Sequence, residues 1–204
     1  MCETHLTEME IEIAISSVKT IFSERLKKHL HLIKVEAPLV ISKGSGMNDD
    51  LNGIEHPVTV NVKEIPQETI EIVHSLAKWK RAKLARLEAP VGSGIVTDMK
   101  ALRPDESFSE LHSIYVDQWD WELAITEDQR NLDVLKEVVN KIWKVLKGAE
   151  TFIQERFPQL KSDRYPDLPG TLEFLHAEDI LAAYPDLPRK ARETEILQDH
   201  PAIF

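Results

Sequence analysis

Three polar side chains alternate along one stretch of the sequence, at Gln118, Asp120 and Glu122. The stretch alternates as a β-strand does, so these side chains would share one face with Ile114 and Val116, with tryptophans on the opposite face. Its apolar half can be buried. Its polar half must meet solvent, a partner or a ligand, because an unpaired buried polar group costs about 1–3 kcal/mol. The pattern fits a strand that leaves the core at its end, and it also fits a strand that ends in a binding site.

Arg103 lies upstream, in the segment ALRPDE, which predicts a turn. The turn could place this arginine on a strand beside the Gln118 strand. A guanidinium keeps its charge and presents a planar fork of donors, which suits a phosphate oxygen. A single arginine also commonly forms a surface ion pair, so Arg103 alone does not define a site.

The segment KWKR concentrates positive charge in an acidic protein, with Lys78, Lys80 and Arg81 around Trp79. Such a segment can be the solvated face of a helix. It can equally be an anion site that holds a carboxylate or a polyphosphate.

Asp49 and Asp50 lie in a loop bordered by glycines. Two carboxylates there could clamp an amine or bind a metal, although an Asx turn is the commoner arrangement. The spacing of His74, His112 and His176 does not match a zinc site. The sequence contains no P-loop, dinucleotide fingerprint or nucleophile elbow, and it identifies no metal ligands.

Hydrophobic periodicity predicts two long helices and, between them, the strands that must position these residues. Apolar residues recur at helical spacing from Ile11 to Leu30, after Thr7 as a cap, and again from Leu132 to Ile153. The run TEDQ at residues 126–129 predicts a capping box for the second helix, which should end near Pro158.

The remaining segments are shorter. The predicted strands are LIKVEAPLVI, VTVNVKEI, the start of IEIVHSLAKWKRAKL, a short strand before Arg103 and the Gln118 strand. Pro38 restricts the first of these to an edge or a strand end, because proline donates no ladder hydrogen bond. Beyond the second long helix we expect two YPDLP turns, a strand and two short helices, and the first residues of a strand at 202–204.

Composition and charge limit the class of protein. The chain has 204 residues, 42% of them hydrophobic, which predicts a folded domain. A net charge of −10 argues against a nucleic-acid partner, because phosphate binding relies on clustered lysine and arginine. The single cysteine, Cys2, rules out an intrachain disulfide. The sequence shows no signal peptide and no run of about 18 apolar residues, so we expect a soluble cytoplasmic protein with no membrane partner.

Four colinear segments resemble a known family. They are DDLNG, VHSLAKWKR, MKALRPDE and HSIYVDQWDWE, at residues 49–53, 73–81, 99–106 and 112–122. Together they resemble the ammonia-dependent asparagine synthetases, the aspartate–ammonia ligases, which are relatives of class II aminoacyl-tRNA synthetase catalytic domains. The resemblance implies an α+β fold, with a mostly antiparallel sheet flanked by helices, in a single domain spanning residues 1–204.

The resemblance also implies a reaction. L-aspartate would react with ATP to give a β-aspartyl adenylate and pyrophosphate, and ammonia would then displace AMP to give asparagine. Adenylation is needed because a carboxylate is a poor electrophile. Mg²⁺ would bridge the phosphates of ATP.

Residue roles follow from the resemblance as well. Arg103 would neutralise the α-phosphate as charge builds, and Gln118 and Asp49 would hold polar groups of aspartate. The other expected substrate-binding residues are Ser75, Lys80, Arg81 and Asp120. The expected nucleotide-binding residues are Arg103, His112 and Ser113. The opening helix and the strand after it resemble a first signature motif that builds dimer interfaces, so we expect a homodimer.

Members of the family continue beyond the point that corresponds to Phe204, through further strands and a third motif whose arginine completes the ATP site. The chain is therefore expected to lack the C-terminal part of the family. One alternative is a noncatalytic truncated paralogue or fragment that binds nucleotide or aspartate, or pairs with a full-length subunit. Another is an enzyme that charges tRNA, which the negative charge disfavours.

Overall fold

A computed structural model describes residues 6–49, 51–110, 112–161 and 166–204. Residue contacts divide the chain into two compact units. One unit combines the start of the chain, up to His29, with the end of the chain from Asp128, and the other runs from Leu30 to Glu127. The expectation of a single domain over residues 1–204 remains a prediction, because this division by contacts does not test it.

Six strands lie between the first and third α-helices of the described residues, with one helix among them. The helices are α1 (Glu8–Leu30), α2 (Ala77–Arg86), α3 (Leu132–Arg156), α4 (Ala177–Ala183) and α5 (Arg189–Asp199). The strands are β1 (Leu32–Lys34), β2 (Val40–Ser42), β3 (Thr59–Asn61), β4 (Thr69–Ile72), β5 (Gly94–Leu102) and β6 (Tyr115–Leu123).

The unit from Leu30 to Glu127 contains two three-stranded sheets in its described part. In one, β5 lies between β1 and β6, parallel to β1 and antiparallel to β6. In the other, β4 lies between β2 and β3 and is antiparallel to both. The expected α+β fold with mostly antiparallel pairing is confirmed.

The pair β5–β6 is the longest element of sheet in this unit, with the register running from Gly94 opposite Leu123 to Leu102 opposite Tyr115. β5 is longer than the short strand predicted. A Cβ at Gly94 would lie 2.0 Å from the carbonyl oxygen of Glu122 and 2.9 Å from Leu32. Only glycine therefore allows β5 to pair this closely on both sides.

The segment LIKVEAPLVI forms two short strands, β1 and β2, and not the single strand predicted. Pro38 lies between them, where its missing N–H and fixed φ interrupt the ladder. VTVNVKEI contributes only the three residues of β3. The basic helix predicted after the strand in IEIVHSLAKWKRAKL is confirmed as α2, after β4.

A hydrophobic cluster lies beneath the polar residues of β6 and α2. Its buried members are Ile41, Val73, Leu76, Met99 and Ala101, with Val116 and Trp79 packed against them. The cluster joins β2, β5, β6 and the start of α2. It fixes the backbone from which the polar residues of β6 and α2 project.

In the other unit, α1 begins with the predicted cap. The Thr7 hydroxyl accepts a hydrogen bond from the Glu10 N–H at 3.3 Å, and the Glu10 carboxylate accepts from the Thr7 N–H at 2.8 Å. This reciprocal pair is a capping box. The Thr7 N–H holds the pKa of Glu10 below its usual range.

α3 ends near Pro158 as predicted, but the capping box predicted at residues 126–129 is wrong. The N-cap is Asn131, whose side chain accepts from the Val134 N–H at 3.0 Å. Asn131 adjoins the first helical residue, Leu132, whereas Thr126 lies too early in the chain to cap it.

At the end of the chain, α4 and α5 confirm the two short helices. The two predicted strands there amount to one parallel bridge, between Glu173 and Ile203. The second YPDLP segment forms a turn, with Leu187 N–H bonded to the Tyr184 carbonyl, while Tyr165 of the first lies outside the described residues. Within the described part of the chain, none of the helices combines the length and apolar character needed to cross a membrane.

Candidate active site

The polar end of β6 lies on one face of the β5–β6 pair. We call this the site face, defined by Gln118, Asp120 and Glu122. The register places Gln118 opposite the buried Met99, and Val116, on the same face, packs against the hydrophobic cluster. Of the predicted apolar half, Val116 is partly buried, and the polar half is likewise only partly exposed.

The prediction that Ile114 packs beneath the site is wrong. Ile114 precedes β6 and is 39% exposed. Its backbone does contribute, because its carbonyl accepts the Arg103 N–H at 2.8 Å. This bond continues the β5–β6 pairing by one residue pair and fixes the backbone of Arg103.

The Arg103 side chain is partly buried and held at one atom. Its Nε donates to the carbonyl of His74 at 3.1 Å. No carboxylate of the described residues forms an ion pair with it. The two terminal nitrogens of the guanidinium therefore keep their donors for an anion.

Arg103 lines a cleft of about 400 Å³. The other lining residues are Leu51, Asn52, Glu55, His74, Pro104, Asp105 and Glu106. The loop after β2 forms one wall, and the turn after β5 forms the other. Three of the four segments that carry the family resemblance thus contribute to the cleft, because His74 belongs to residues 73–81.

His74 is buried, and its Nδ1 has no hydrogen-bond partner within the described residues. An unpaired buried nitrogen costs about 1–3 kcal/mol. The spacing of the histidines argues against a zinc site, and no role for His74 was predicted from the sequence. The structure shows that its backbone carbonyl is what holds Arg103.

Asn48 was also missed from the sequence. It is buried, and its side-chain oxygen accepts the His74 N–H at 3.1 Å. Its amide nitrogen donates to Glu71 at 3.2 Å and to the Ile72 carbonyl at 3.4 Å. Asn48 therefore ties the loop after β2 to the end of β4, although nothing separates it from its polar neighbours in the sequence.

Asp49 and Ser75 come together as expected of one site. The Ser75 hydroxyl donates to Asp49 Oδ2 at 3.4 Å, and Lys78 Nζ lies 3.7 Å from Asp49 Oδ1. The second carboxylate of the proposed clamp, Asp50, lies outside the described residues.

In the basic segment KWKR, the Lys80 side chain is buried and the Arg81 side chain is exposed. Lys80 is buried and forms an ion pair with Asp120, and its ammonium also donates to the Trp121 carbonyl at 3.0 Å. Arg81 has a side chain 73% exposed, with Nε 3.9 Å from Glu122. The solvated-face interpretation therefore holds for Arg81 and fails for Lys80.

His112 and Ser113 lie in the connection between β5 and β6, and both are exposed. The Ser109 hydroxyl and His112 Nδ1 are 2.9 Å apart, and the Ser113 hydroxyl donates to the Tyr115 carbonyl at 3.1 Å. Both side chains thus have local partners, and neither lines the 400 Å³ cleft.

A contact between Asp105 and His56 links the two loops that form the cleft. Asp105 accepts a hydrogen bond from the His56 N–H at 2.7 Å, and His56 Nδ1 lies 3.2 Å from the same oxygen. The His56 N–H holds the pKa of Asp105 below its usual range. The contact joins the two walls that contain Leu51 and Arg103.

Comparison with known proteins identifies the family. The family model described as aspartate-ammonia ligase matches residues 9–204. An aspartate–ammonia ligase of Clostridium perfringens (strain SM101) is 47% identical over 199 residues, covering 98% of this chain and 58% of that relative. One of Bacteroides fragilis is 46% identical over 195 residues, covering 96% of this chain and 55% of the relative. The chain thus spans a little over half the length of these relatives.

Solved structures give the fold. An asparaginyl-tRNA synthetase of Entamoeba histolytica, in complex with asparaginyl-adenylate, matches with a TM-score of 0.60 and 12% identity over 94% of this chain and 41% of its own. The asparaginyl-tRNA synthetase of Pyrococcus horikoshii, also complexed with asparaginyl-adenylate, matches with a TM-score of 0.57 and 14% identity over 86% of this chain and 38% of its own. The class II synthetase-like fold is confirmed, and the chain belongs to the aspartate–ammonia ligase family.

Proposed function

We propose that this chain catalyses the ATP-dependent amidation of L-aspartate with ammonia, through a β-aspartyl adenylate. The observation that carries the proposal is Arg103, whose guanidinium lines a cleft of about 400 Å³ without an ion pair to any described carboxylate. Membership of the aspartate–ammonia ligase family supports the choice of substrates. The chemistry then follows in two steps.

In the first step, a β-carboxylate oxygen of aspartate attacks the α-phosphorus of ATP, and pyrophosphate leaves. Negative charge grows on the phosphoryl oxygens as the new bond forms. Arg103 neutralises that charge, and it is positioned before the reaction because Nε is held by the His74 carbonyl. A fixed donor of this kind needs no reorganisation during the step.

Aspartate is held on the site face. The Gln118 amide has no partner among the described residues and offers both a donor and an acceptor. Asp49, paired with Ser75, offers a carboxylate to the α-ammonium group. We assign Lys80, Arg81 and Asp120 to the same substrate site, and His112 and Ser113 to the nucleotide.

In the second step, ammonia attacks the carbonyl carbon of the adenylate. The bond between that carbon and the bridging oxygen breaks, AMP leaves with both electrons, and a proton is lost from nitrogen to solvent. The products are asparagine and AMP. Cleavage of the α–β phosphoanhydride bond of ATP has thus converted the β-carboxylate into an adenylate that ammonia can attack.

Mg²⁺ fits this chain as a companion of ATP and not as a resident ion. The described residues contain no group of three or more His, Cys, Asp or Glu side chains that could hold a metal. Mg²⁺ typically binds substrate phosphates with only one or two protein carboxylates. When bound, it would supply charge neutralisation to the phosphates.

The same proposal places the enzyme in the cytoplasm as a homodimer without a nucleic-acid partner. Two apolar side chains one turn apart on the same face of α1, Met9 and Ile13, are exposed. They offer an apolar surface to a second subunit. The net charge of −10 disfavours binding to a polyanion.

The test is exchange of labelled pyrophosphate into ATP, with purified chain, Mg²⁺ and L-aspartate, without ammonia. We expect exchange that depends on L-aspartate, and asparagine formation once ammonia is added. A folded chain that binds aspartate without exchange would instead support the noncatalytic alternative. Exchange that needs tRNA would support a tRNA-charging enzyme.

A further inference from the structure

The Lys80 ammonium is bonded to other groups of the protein. The residue is only 6% exposed. An ammonium has three N–H donors. One donates to Asp120 and a second to the Trp121 carbonyl at 3.0 Å, while Glu122 Oε2 lies 3.9 Å away.

The charges around Lys80 balance one another. Two cations, Lys80 and Arg81, face two carboxylates, Asp120 and Glu122. A substrate carboxylate that accepted the third N–H of the Lys80 ammonium would lie beside two negative charges, Asp120 and Glu122. Direct contact between Lys80 and a carboxylate of aspartate is therefore disfavoured.

What Lys80 does reach is the backbone and side chain of β6 at the polar end of the site face. Its bond to the Trp121 carbonyl fixes β6 against α2, and its bond to Asp120 fixes that carboxylate. Gln118 lies two residues earlier on the same face. One ammonium thus holds both the Asp120 carboxylate and the strand that carries Gln118.

We propose that Lys80 is a positioning residue, which acts on aspartate only through Asp120 and the β6 backbone. This inference rests on the proposed function and refines it, because it removes Lys80 from the groups that touch the substrate. It also predicts that Lys80 and Asp120 act as one unit.

The same hairpin offers a matched control. Lys100 of β5 forms an ion pair with Asp117 of β6 at 2.6 Å. This pair joins β5 to β6 and lies on the face of β6 opposite Asp120, with both side chains partly exposed. Lys100→Met removes a lysine of similar geometry without touching the site face.

The test is a double-mutant cycle with Lys80→Met, Asp120→Asn and the double variant, read by aspartate-dependent pyrophosphate exchange. We expect each single variant to raise the KM for aspartate at least about tenfold, with the KM for ATP unchanged. The double variant should be no worse than the poorer single variant. Lys100→Met should match the wild type.

Independent effects that multiply in the double variant would overturn the inference, because they would mean that Lys80 contacts the substrate itself. If Lys80→Met does not fold, Lys80→Arg replaces it in the cycle, with the same two outcomes. If the wild type shows no exchange, the proposed function fails and the cycle is read on the calorimetric Kd for aspartate. A wild type that neither exchanges nor binds aspartate overturns both.

Discussion

Two lysine–aspartate pairs lie on β6, one on each face, and they differ mainly in burial. Lys80 and Asp120, on the site face, have side chains 8% and 15% exposed. Lys100 and Asp117, on the opposite face, are 39% and 32% exposed. α2 provides Lys80 on one face, whereas the other pair is formed by the two strands alone. The two pairs consist of the same two residue types. They differ in burial because α2 packs on the face that carries Asp120 and not on the face that carries Asp117.

Burial also determines how much each ion pair contributes to the free energy of unfolding. A surface ion pair contributes about 0–1 kcal/mol, because water competes for both partners. Removing one partner of a buried pair costs about 3–5 kcal/mol, because the other charge is left without compensation. The comparison can therefore be tested by breaking each pair in turn.

The largest effect is expected for Lys80→Met. It leaves the largely buried Asp120 carboxylate unpaired, so the free energy of unfolding in urea should fall by about 3–5 kcal/mol. Lys100→Met should lower it by about 1 kcal/mol or less. Equal losses for the two variants would show that the faces do not differ in this way.

Arg103→Ala tests the cleft through activity. Removing one preorganised donor to a developing negative charge typically lowers the rate about 10²–10³-fold. We expect a loss of that size in aspartate-dependent pyrophosphate exchange, with the free energy of unfolding little changed. An exchange rate within a few-fold of the wild type would remove Arg103 from the mechanism.

Asn48→Ala tests how the loop after β2 is held against the site. The substitution leaves the buried His74 N–H without its acceptor, which should cost about 1–3 kcal/mol in the free energy of unfolding. Asn52→Ala, in the same loop, loses only the exposed bond from its side-chain amide to Glu55 Oε1 and serves as the control. A larger loss in the free energy of unfolding for Asn52→Ala than for Asn48→Ala would contradict this expectation.

The smallest effect concerns pH. Because the His56 N–H holds the pKa of Asp105 low, the folded state is stabilised at neutral pH. That stabilisation is lost as the pH falls through the lowered pKa. Asp105→Asn should therefore show a slightly shallower loss of stability in acid, measured as urea midpoints across the acidic range. Superimposable pH profiles would contradict this.

The sequence was most informative where periodicity controls the structure. Alternation from Val116 to Glu122 predicted the two halves of the site face, and helical spacing with Thr7 predicted α1 and its cap. Both features depend on local geometry, which a period of 2 or 3.6 residues encodes directly.

The errors lie where a contact between distant segments decides the structure. Asn48 has no local signal, because its partners are about 25 residues away at the end of β4. Lys80 could not be distinguished from Arg81 without knowing that the first faces Asp120. Ile114 continues the strand alternation, yet it precedes β6 and remains exposed.

The most direct test of the central claim follows oxygen from aspartate into AMP. L-aspartate carrying oxygen-18 in its β-carboxylate is incubated with the chain, ATP, Mg²⁺ and ammonia, and the AMP is analysed by mass spectrometry. Attack of the carboxylate on the α-phosphorus predicts one oxygen-18 atom in each AMP formed with asparagine. Unlabelled AMP would contradict an adenylate intermediate.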